Sequence, residues 1–229
     1  MDRPARHRSW RCLVKLRLFN YWRSSASHRV RIALGLKGLA YDYVAVSLIA
    51  DGGQQKTDAY RARNPMAQLP TLEVTEDDGT VHDLVQSFAI IEFLEERFPT
   101  PALLPQDPYA RAHARALAEI VNSGIQPLQN LSTTRSIKAL GGDDQLFARG
   151  FIESGLRAFA ALVGPTAGRY CLGDAPTLAD VFLVPQMHSA RRFGASLAGL
   201  DLLVRIADEC ERLPAFAAAM PDAQTDAIH

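Results

Sequence analysis

Four prolines, Pro99, Pro101, Pro105 and Pro108, fall between residues 99 and 108. A proline has no backbone N–H and pushes the residue before it away from helical geometry, so no helix or strand runs through such a stretch. The chain must fold on either side of it. Before it, short β-branched and aromatic runs interleave with helical pieces. After it, the long segments have helical spacing. The organisation expected is a basic tail over 1–15, an α/β domain over 16–98, a linker over 99–108, an all-α domain over 109–222 and a loose tail over 223–229. The chain has 229 residues, 48% of them hydrophobic, enough for two packed units.

Lys+Arg and Asp+Glu number 25 each, so the formal net charge is zero. A dedicated nucleic-acid binder is usually basic, so nucleic acid is not an expected partner. No apolar run approaches the roughly 20 residues that span a bilayer, and no membrane partner is expected either. Cys12, Cys171 and Cys210 are odd in number and far apart, with no Cys-x-x-Cys. That excludes a disulfide framework or zinc ribbon and suits a reducing, cytoplasmic setting. The six histidines are scattered without metal-ligand spacing, so no metal is expected. Arg3, Arg6, Arg8 and Arg11 precede no apolar run, which argues for a solvated basic tail and against a secretory signal.

The spacing predicts a strand over Leu16 to Trp22, a helix ending near Lys37-Gly38, and a strand over Ala40 to Ile49. A short helix over Lys56 to Arg63 stops before Asn64-Pro65. Leu69 to Thr75 alternates as a strand, Asp78-Gly79 marks a hairpin turn, and Thr80 to Val85 returns. Gln86-Ser87 opens a helix to Arg97. Beyond the prolines, Tyr109 to about Leu140 reads as one long helix kinked at Pro127. Asp143 to Val163 is a second helix. Thr177 and Asp180 form a capping box for a third, to about Phe193, and two shorter helices follow.

The first strand runs straight into Ser24-Ser25-Ala26-Ser27-His28-Arg29. Serines at a helix start accept hydrogen bonds from its unpaired N–H groups, and capping alone accounts for them. The same junction favours an anion, because free N–H groups and the positive end of the helix dipole meet there. A thiolate would be stabilised by the same forces, with a serine hydroxyl as a further donor.

Several strings resemble the glutathione transferase family. Asn64-Pro65-x-x-Gln68-Leu69-Pro70-Thr71-Leu72 is similar to its segment before the third strand, Gln86-Ser87-x-Ala89-Ile90 to the segment that binds the γ-glutamyl carboxylate, and Gly173-Asp174-x-Pro176-Thr177-Leu178-Ala179-Asp180 to its capping-box segment. The likeness runs from about Leu16 to Met220. Ser24-Ser25-Ala26-Ser27-His28-Arg29-Val30-Arg31-Ile32-Ala33-Leu34 resembles the zeta-class signature, with one departure: Ala26 stands where that class has a cysteine. The resemblance implies a thioredoxin-like N-terminal domain, an all-α C-terminal domain, a homodimer, and glutathione as cofactor.

It also implies an activity: cis–trans isomerisation of a maleyl-diketo acid, with maleylacetoacetate first and maleylpyruvate as the alternative. General glutathione transfer or dehalogenation, and a non-catalytic binding protein of the same fold, are further readings. Isomerisation about a conjugated double bond needs that bond lost for a moment, and a thiolate achieves this by adding and leaving. The resemblance gives Ser24 the leading role in keeping the thiol ionised, with Ser25 beside it. Arg23 and Arg192 are the candidates for gripping substrate carboxylate, since a guanidinium binds one through two parallel bonds. Glutathione would be held by the segment Ser24, Ser25, Ala26, Ser27, His28 and Arg29, by Gln55, Leu69, Gln86 and Ser87, and by Gln126, Asn130, Leu131 and Ser132 from the second half. Leu131-Ser132 follow Asn130 as in the maleylacetoacetate enzymes, and Arg135 lies one turn on. Arg29 and Arg31 are expected to make structural ion pairs, and Asp180 to act as a cap.

Overall fold

The computed structural model describes residues 14–228, so the basic tail with its four arginines, and Cys12, lie outside the described residues. Four strands, β1 (Lys15–Asn20), β2 (Asp42–Ala45), β3 (Thr71–Thr75) and β4 (Val81–Val85), form one sheet in the order β2-β1-β3-β4. β2 runs parallel to β1, and the other two neighbours are antiparallel. Alternation in β1 puts Leu16 and Leu18 on one face, opposite Val74 and Leu72 of β3. That face is covered by α1 (Ser25–Leu36), which joins β1 to β2, and by α3 (Ser87–Arg97), which follows β4. On the other face Phe19 packs with Tyr60 of the short α2 (Asp58–Arg61), Val46 and Leu69.

Beyond the linker the chain is helical: α4 (Pro108–Glu119), a π-helical turn (Ile120–Ile125), α5 (Gln126–Gln129), α6 (Leu131–Ala139), α7 (Asp144–Val163), α8 (Leu178–Phe193), α9 (Asp201–Glu211) and α10 (Pro214–Ala219). α8 is buried almost all round from Leu178 to Ala190, as a helix apolar on every side must be. It packs on α1, α4, α7 and α9, so one continuous apolar core joins the sheet's helices to the second half. Asp180 anchors its start, with its Oδ2 accepting from Thr177 N at 2.7 Å and its Oδ1 from Cys171 N at 2.9 Å.

Several expectations need correction. The strand expected over Ala40 to Ile49 shrinks to Asp42–Ala45, because β2 is an edge strand whose partners end with β1. The helix expected over Lys56 to Arg63 is a 3₁₀ turn, Gln54–Lys56, followed by α2, since Thr57 breaks the ladder and caps a fresh start at Tyr60 N. The stretch over 109–140 is not one helix but α4, a π-helical turn, α5 and α6. The π-helical turn ends two residues before Pro127, and a full break follows at Asn130, whose extended backbone ends α5 and whose Oδ1 caps Ser132 N at 3.2 Å. Residues 223–228, read as loose, are tied down. Gln224 Nε2 donates to Ala218 O and Met220 O, while Asp226 accepts from Trp22 N and from the Tyr43 hydroxyl. Arg29 and Arg31 make no ion pair among the described residues, and neutral oxygens hold them instead.

The linker is clamped by a buried ion pair. Lys37, the residue that ends α1, reaches Glu95 of α3 at 2.7 Å with its side chain fully enclosed. Its ammonium also donates to Phe98 O at 2.7 Å and Pro101 O at 2.9 Å, while Glu95 accepts from the N–H groups of Leu103 and Leu104. Removing one partner leaves a buried charge uncompensated. Glu95→Ala is expected to cost about 3–5 kcal/mol of folding free energy by urea denaturation at pH 7. A loss under about 1 kcal/mol, the scale of an exposed pair, would contradict the clamp.

Candidate active site

The turn between β1 and α1 forms one wall of a cavity of about 740 Å³. Ser24 N donates to Tyr21 O at 3.0 Å, which closes the turn, and Ser24 then caps α1. Its Oγ accepts from Ser27 N at 3.2 Å and its carbonyl from His28 N at 2.9 Å. That accounts for two of the helix's opening amides and leaves those of Ser25 and Ala26, which also line the cavity. Because the Ser24 oxygen caps as an acceptor, its own proton stays free to donate into the cavity.

The second wall comes from the ends of β3 and α3. The Leu69–Pro70 peptide is cis, and the Leu69 peptide N–H and C=O make no bond among the described residues. Gln86 sits at φ 68°, a left-handed conformation, just before Ser87 opens α3. Gln86 is the N-cap residue of α3, but its side chain makes no capping bond; Nε2 instead lies 3.4 Å from Gln68 Oε1. Gln55 is buried at the cavity edge with Oε1 unpartnered. Gly53 makes room for it: at φ 110° a side chain is strained, and a Cβ would lie 2.7 Å from that same Oε1.

The third wall belongs to the second half. Gln126, Asn130, Leu131 and Ser132 all line the cavity, and the Asn130 side chain is spent capping α6. Arg192, in the last turn of α8, faces the cavity from above and lies over the Phe193 ring, 4.8 Å from its centre. Arg23 lies over Trp22 at 5.6 Å. Neither arginine has an ion-pair partner among the described residues. Loss of solvent, with the like charge of Arg23 second, holds the Arg192 guanidinium below its ordinary pKa. Two cations brought together with no ion-pair partner of their own form a site for an anion.

Twelve of the fourteen proposed glutathione positions, and the two candidate arginines Arg23 and Arg192, therefore meet at one cavity. The exceptions are Ser27 and His28. Helical rotation turns Ser25, Ala26 and Arg29 toward the cavity and carries those two into the interior. His28 packs edge-on to His188 of α8, and burial, followed by the nearby Arg31, drives its pKa well below the usual value. Arg29 is also buried, but borders the cavity: Nη1 donates to Ser87 Oγ at 3.3 Å and to Asn122 Oδ1 at 3.0 Å. Burial lowers its pKa to about 9.

Sequence reasoning missed Lys56, Arg61, Gln68 and Asn122, which also line the cavity. Gln68 could have been found, since it adjoins Leu69; Asn122 gives no local signal, because a π-helical turn decides where it points. Arg135 joins the lining because it follows Leu131 by one helical turn. Among the described residues no group of three or more His, Cys, Asp or Glu could hold a metal ion, and no helix is long and apolar enough to cross a membrane.

Residues 23–97 match the model of the glutathione S-transferase N-terminal domain. Maleylacetoacetate isomerase of Mus musculus is 46% identical over 210 residues, covering 91% of this chain and 94% of the relative. A crystal structure of maleylacetoacetate isomerase from Anaeromyxobacter dehalogenans 2CP-1, with glutathione bound in its active site, superposes with a TM-score of 0.87 at 53% identity, over 95% of this chain and 100% of that one. The holo structure of a maleylpyruvate isomerase, described as a bacterial zeta-class glutathione S-transferase, gives a TM-score of 0.85 at 43% identity, over 93% and 100%. By sequence and fold together, this chain belongs to the glutathione S-transferase family, in its zeta class.

Proposed function

We propose that the protein is a glutathione-dependent cis–trans isomerase that converts maleylacetoacetate to fumarylacetoacetate. One observation carries the reading: the Ser24-capped start of α1 and the unpaired cations Arg23 and Arg192 share one cavity. The residues present also fit glutathione. The open Leu69 peptide groups suit a cysteinyl backbone, the start of α3 at Ser87 suits an α-carboxylate, and the unpartnered Gln55 oxygen suits an N–H donor. When bound, glutathione supplies a thiolate that adds reversibly to the conjugated double bond.

The chain's part is electrostatic. Ser24 Oγ–H and the first-turn amides hold negative charge at the mouth of α1. A free thiol has a pKa of about 8.5, and a helix N-terminus with added donors lowers it by about one unit or more. Each unit is worth about 1.4 kcal/mol, a size that one hydroxyl and a dipole can supply. Arg23 and Arg192 grip the substrate carboxylate and stabilise charge that spreads into its carbonyl. Ala26 lines the cavity in place of the class cysteine, so this pocket carries no thiol of its own there.

Maleylpyruvate is the second reading, favoured by Arg135, which adds another cation to the same cavity. The division into domains over 16–98 and 109–222, with the linker between, belongs to this proposal, as do a homodimer and a cytoplasmic location. The last two draw on the family likeness and on Cys171 and Cys210, which are free and buried.

Three outcomes are expected. Assayed side by side with glutathione, maleylacetoacetate should turn over faster than maleylpyruvate; activity on neither would defeat the isomerase reading. Ser24→Ala should lower kcat by roughly 100-fold, the scale for losing one donor to developing charge, while loss of the cap to Ser27 N costs about 1 kcal/mol of stability and leaves the chain folded. Absorbance titration of bound glutathione should show its thiol pKa rising in that variant; an unmoved thiolate would refute the role of Ser24. Arg192→Lys should raise KM for the diketo acid by about tenfold, since an ammonium loses the two-bond grip, while glutathione affinity holds. An unaltered KM would remove Arg192 from the substrate site.

A further inference from the structure

We infer that Asp226 is a positioning residue for the reaction: its carboxylate returns from the far end of the chain to hold the turn that presents Arg23 and Ser24. The inference rests on the function proposed above for those two residues and goes beyond it, because Asp226 lies outside the cavity lining.

The observations converge on one peptide. Trp22 immediately precedes Arg23 and offers one N–H and one C=O. Asp226 Oδ2 accepts from Trp22 N at 3.2 Å. Arg31 Nη2 donates to Trp22 O at 3.0 Å. Both backbone groups of Trp22 are thus held by side chains, and neither by a strand or helix. Each holder is itself held. Asp226 Oδ1 accepts the Tyr43 hydroxyl, so β2 fixes the carboxylate's second oxygen. Burial first, and then the bond to Asp226, keep the Tyr43 phenol protonated far above its ordinary range, so it remains a donor. Arg31 Nε donates to Ala219 O at 3.1 Å and Nη1 to Asn20 Oδ1 at 3.0 Å, which ties the same turn to the end of α10 and to β1.

The geometry of the turn matters because nothing else fixes Arg23. It is exposed, has no ion-pair partner among the described residues, and lies over the Trp22 ring. Its direction into the cavity follows from where Trp22 sits. Ser24 is coupled too, through its amide bond to Tyr21 O across the same turn. Release of the Trp22 amide should let the turn relax by a fraction of an ångström, and misplacement of about 1 Å can cost up to about 100-fold in rate. The glutathione-facing residues Gln55, Leu69 and Ser87 are on other elements and should not move.

The test uses the full chain with Asp226→Ala, Tyr43→Phe, Arg23→Lys and the double variant R23K/D226A, assayed on maleylacetoacetate with glutathione varied up to saturation. Asp226→Ala is expected to lower kcat about tenfold, with KM for glutathione within about twofold. Tyr43→Phe, which frees one carboxylate oxygen but spares the Trp22 bond, should lower kcat less. In the R23K background the loss from Asp226→Ala should shrink, because both changes act through one group. A merely structural role would lower the melting temperature of the variant and leave the two rate effects multiplying. Unchanged kcat in Asp226→Ala, or fully multiplicative losses, would overturn the inference. If Arg23→Lys is impaired while Asp226→Ala is not, only the positioning role falls. If both are unchanged, the reading of Arg23 falls with it.

Discussion

Burying a cation is costly, and α1 buries three. Each is compensated differently, and the differences organise the molecule. Lys37 has a true counter-ion in Glu95, and the pair gathers the linker around itself. Arg31 has only neutral acceptors, the carbonyls of Trp22 and Ala219 and the amide oxygen of Asn20, with Asp226 near enough to add attraction. Arg29 has the least: Ser87 and Asn122, with Phe182 beneath its guanidinium at 4.5 Å and two nitrogens unpartnered. One helix therefore locks the linker with its last charge, the β1–α1 turn with its middle one, and the floor of the cavity with its first.

The cavity continues this imbalance. Arg23, Lys56, Arg61, Arg135 and Arg192 line it against a single acid, Asp144. The chain as a whole is neutral, so the excess is local. A neutral protein with a cationic cleft draws small anions without binding polyanions broadly over its surface. That suits a site for an acidic tripeptide and an acidic substrate together. Arg29 adds a directional effect. A guanidinium only donates, so Ser87 Oγ accepts from it and keeps its own proton to give elsewhere.

Much of this was legible in the sequence wherever the determinants lie within a few residues. The serine cluster after β1, the Asp78-Gly79 turn and the Thr177 and Asp180 cap are each set by short-range chemistry, and all appear where expected. The errors fall where a neighbour distant in sequence decides. β2 is short because β1 offers it only four partners. The stretch read as one long helix is cut at Asn130, whose extended backbone and side-chain cap start α6, after a π-helical turn that no local pattern announced. Ser27 and His28 belong to a motif read as one unit, yet helical rotation divides it between cavity and interior.

The order of strands and helices in the first half, the helix starts that carry local caps, the meeting of an α/β half with an all-α half, and the kinship to glutathione transferases were determined by the sequence alone. Capping, turn formation and periodicity act over three or four residues, so a linear reading captures them. Only the tertiary structure decided which α1 residues face the cleft, that Arg29 and Arg31 go without ion pairs, and that the final segment comes back to the first turn. Those outcomes join Arg31 to Ala219, 188 residues apart, and Trp22 to Asp226, 204 apart. Contacts at such separations depend on how the whole core packs, and no local pattern encodes them.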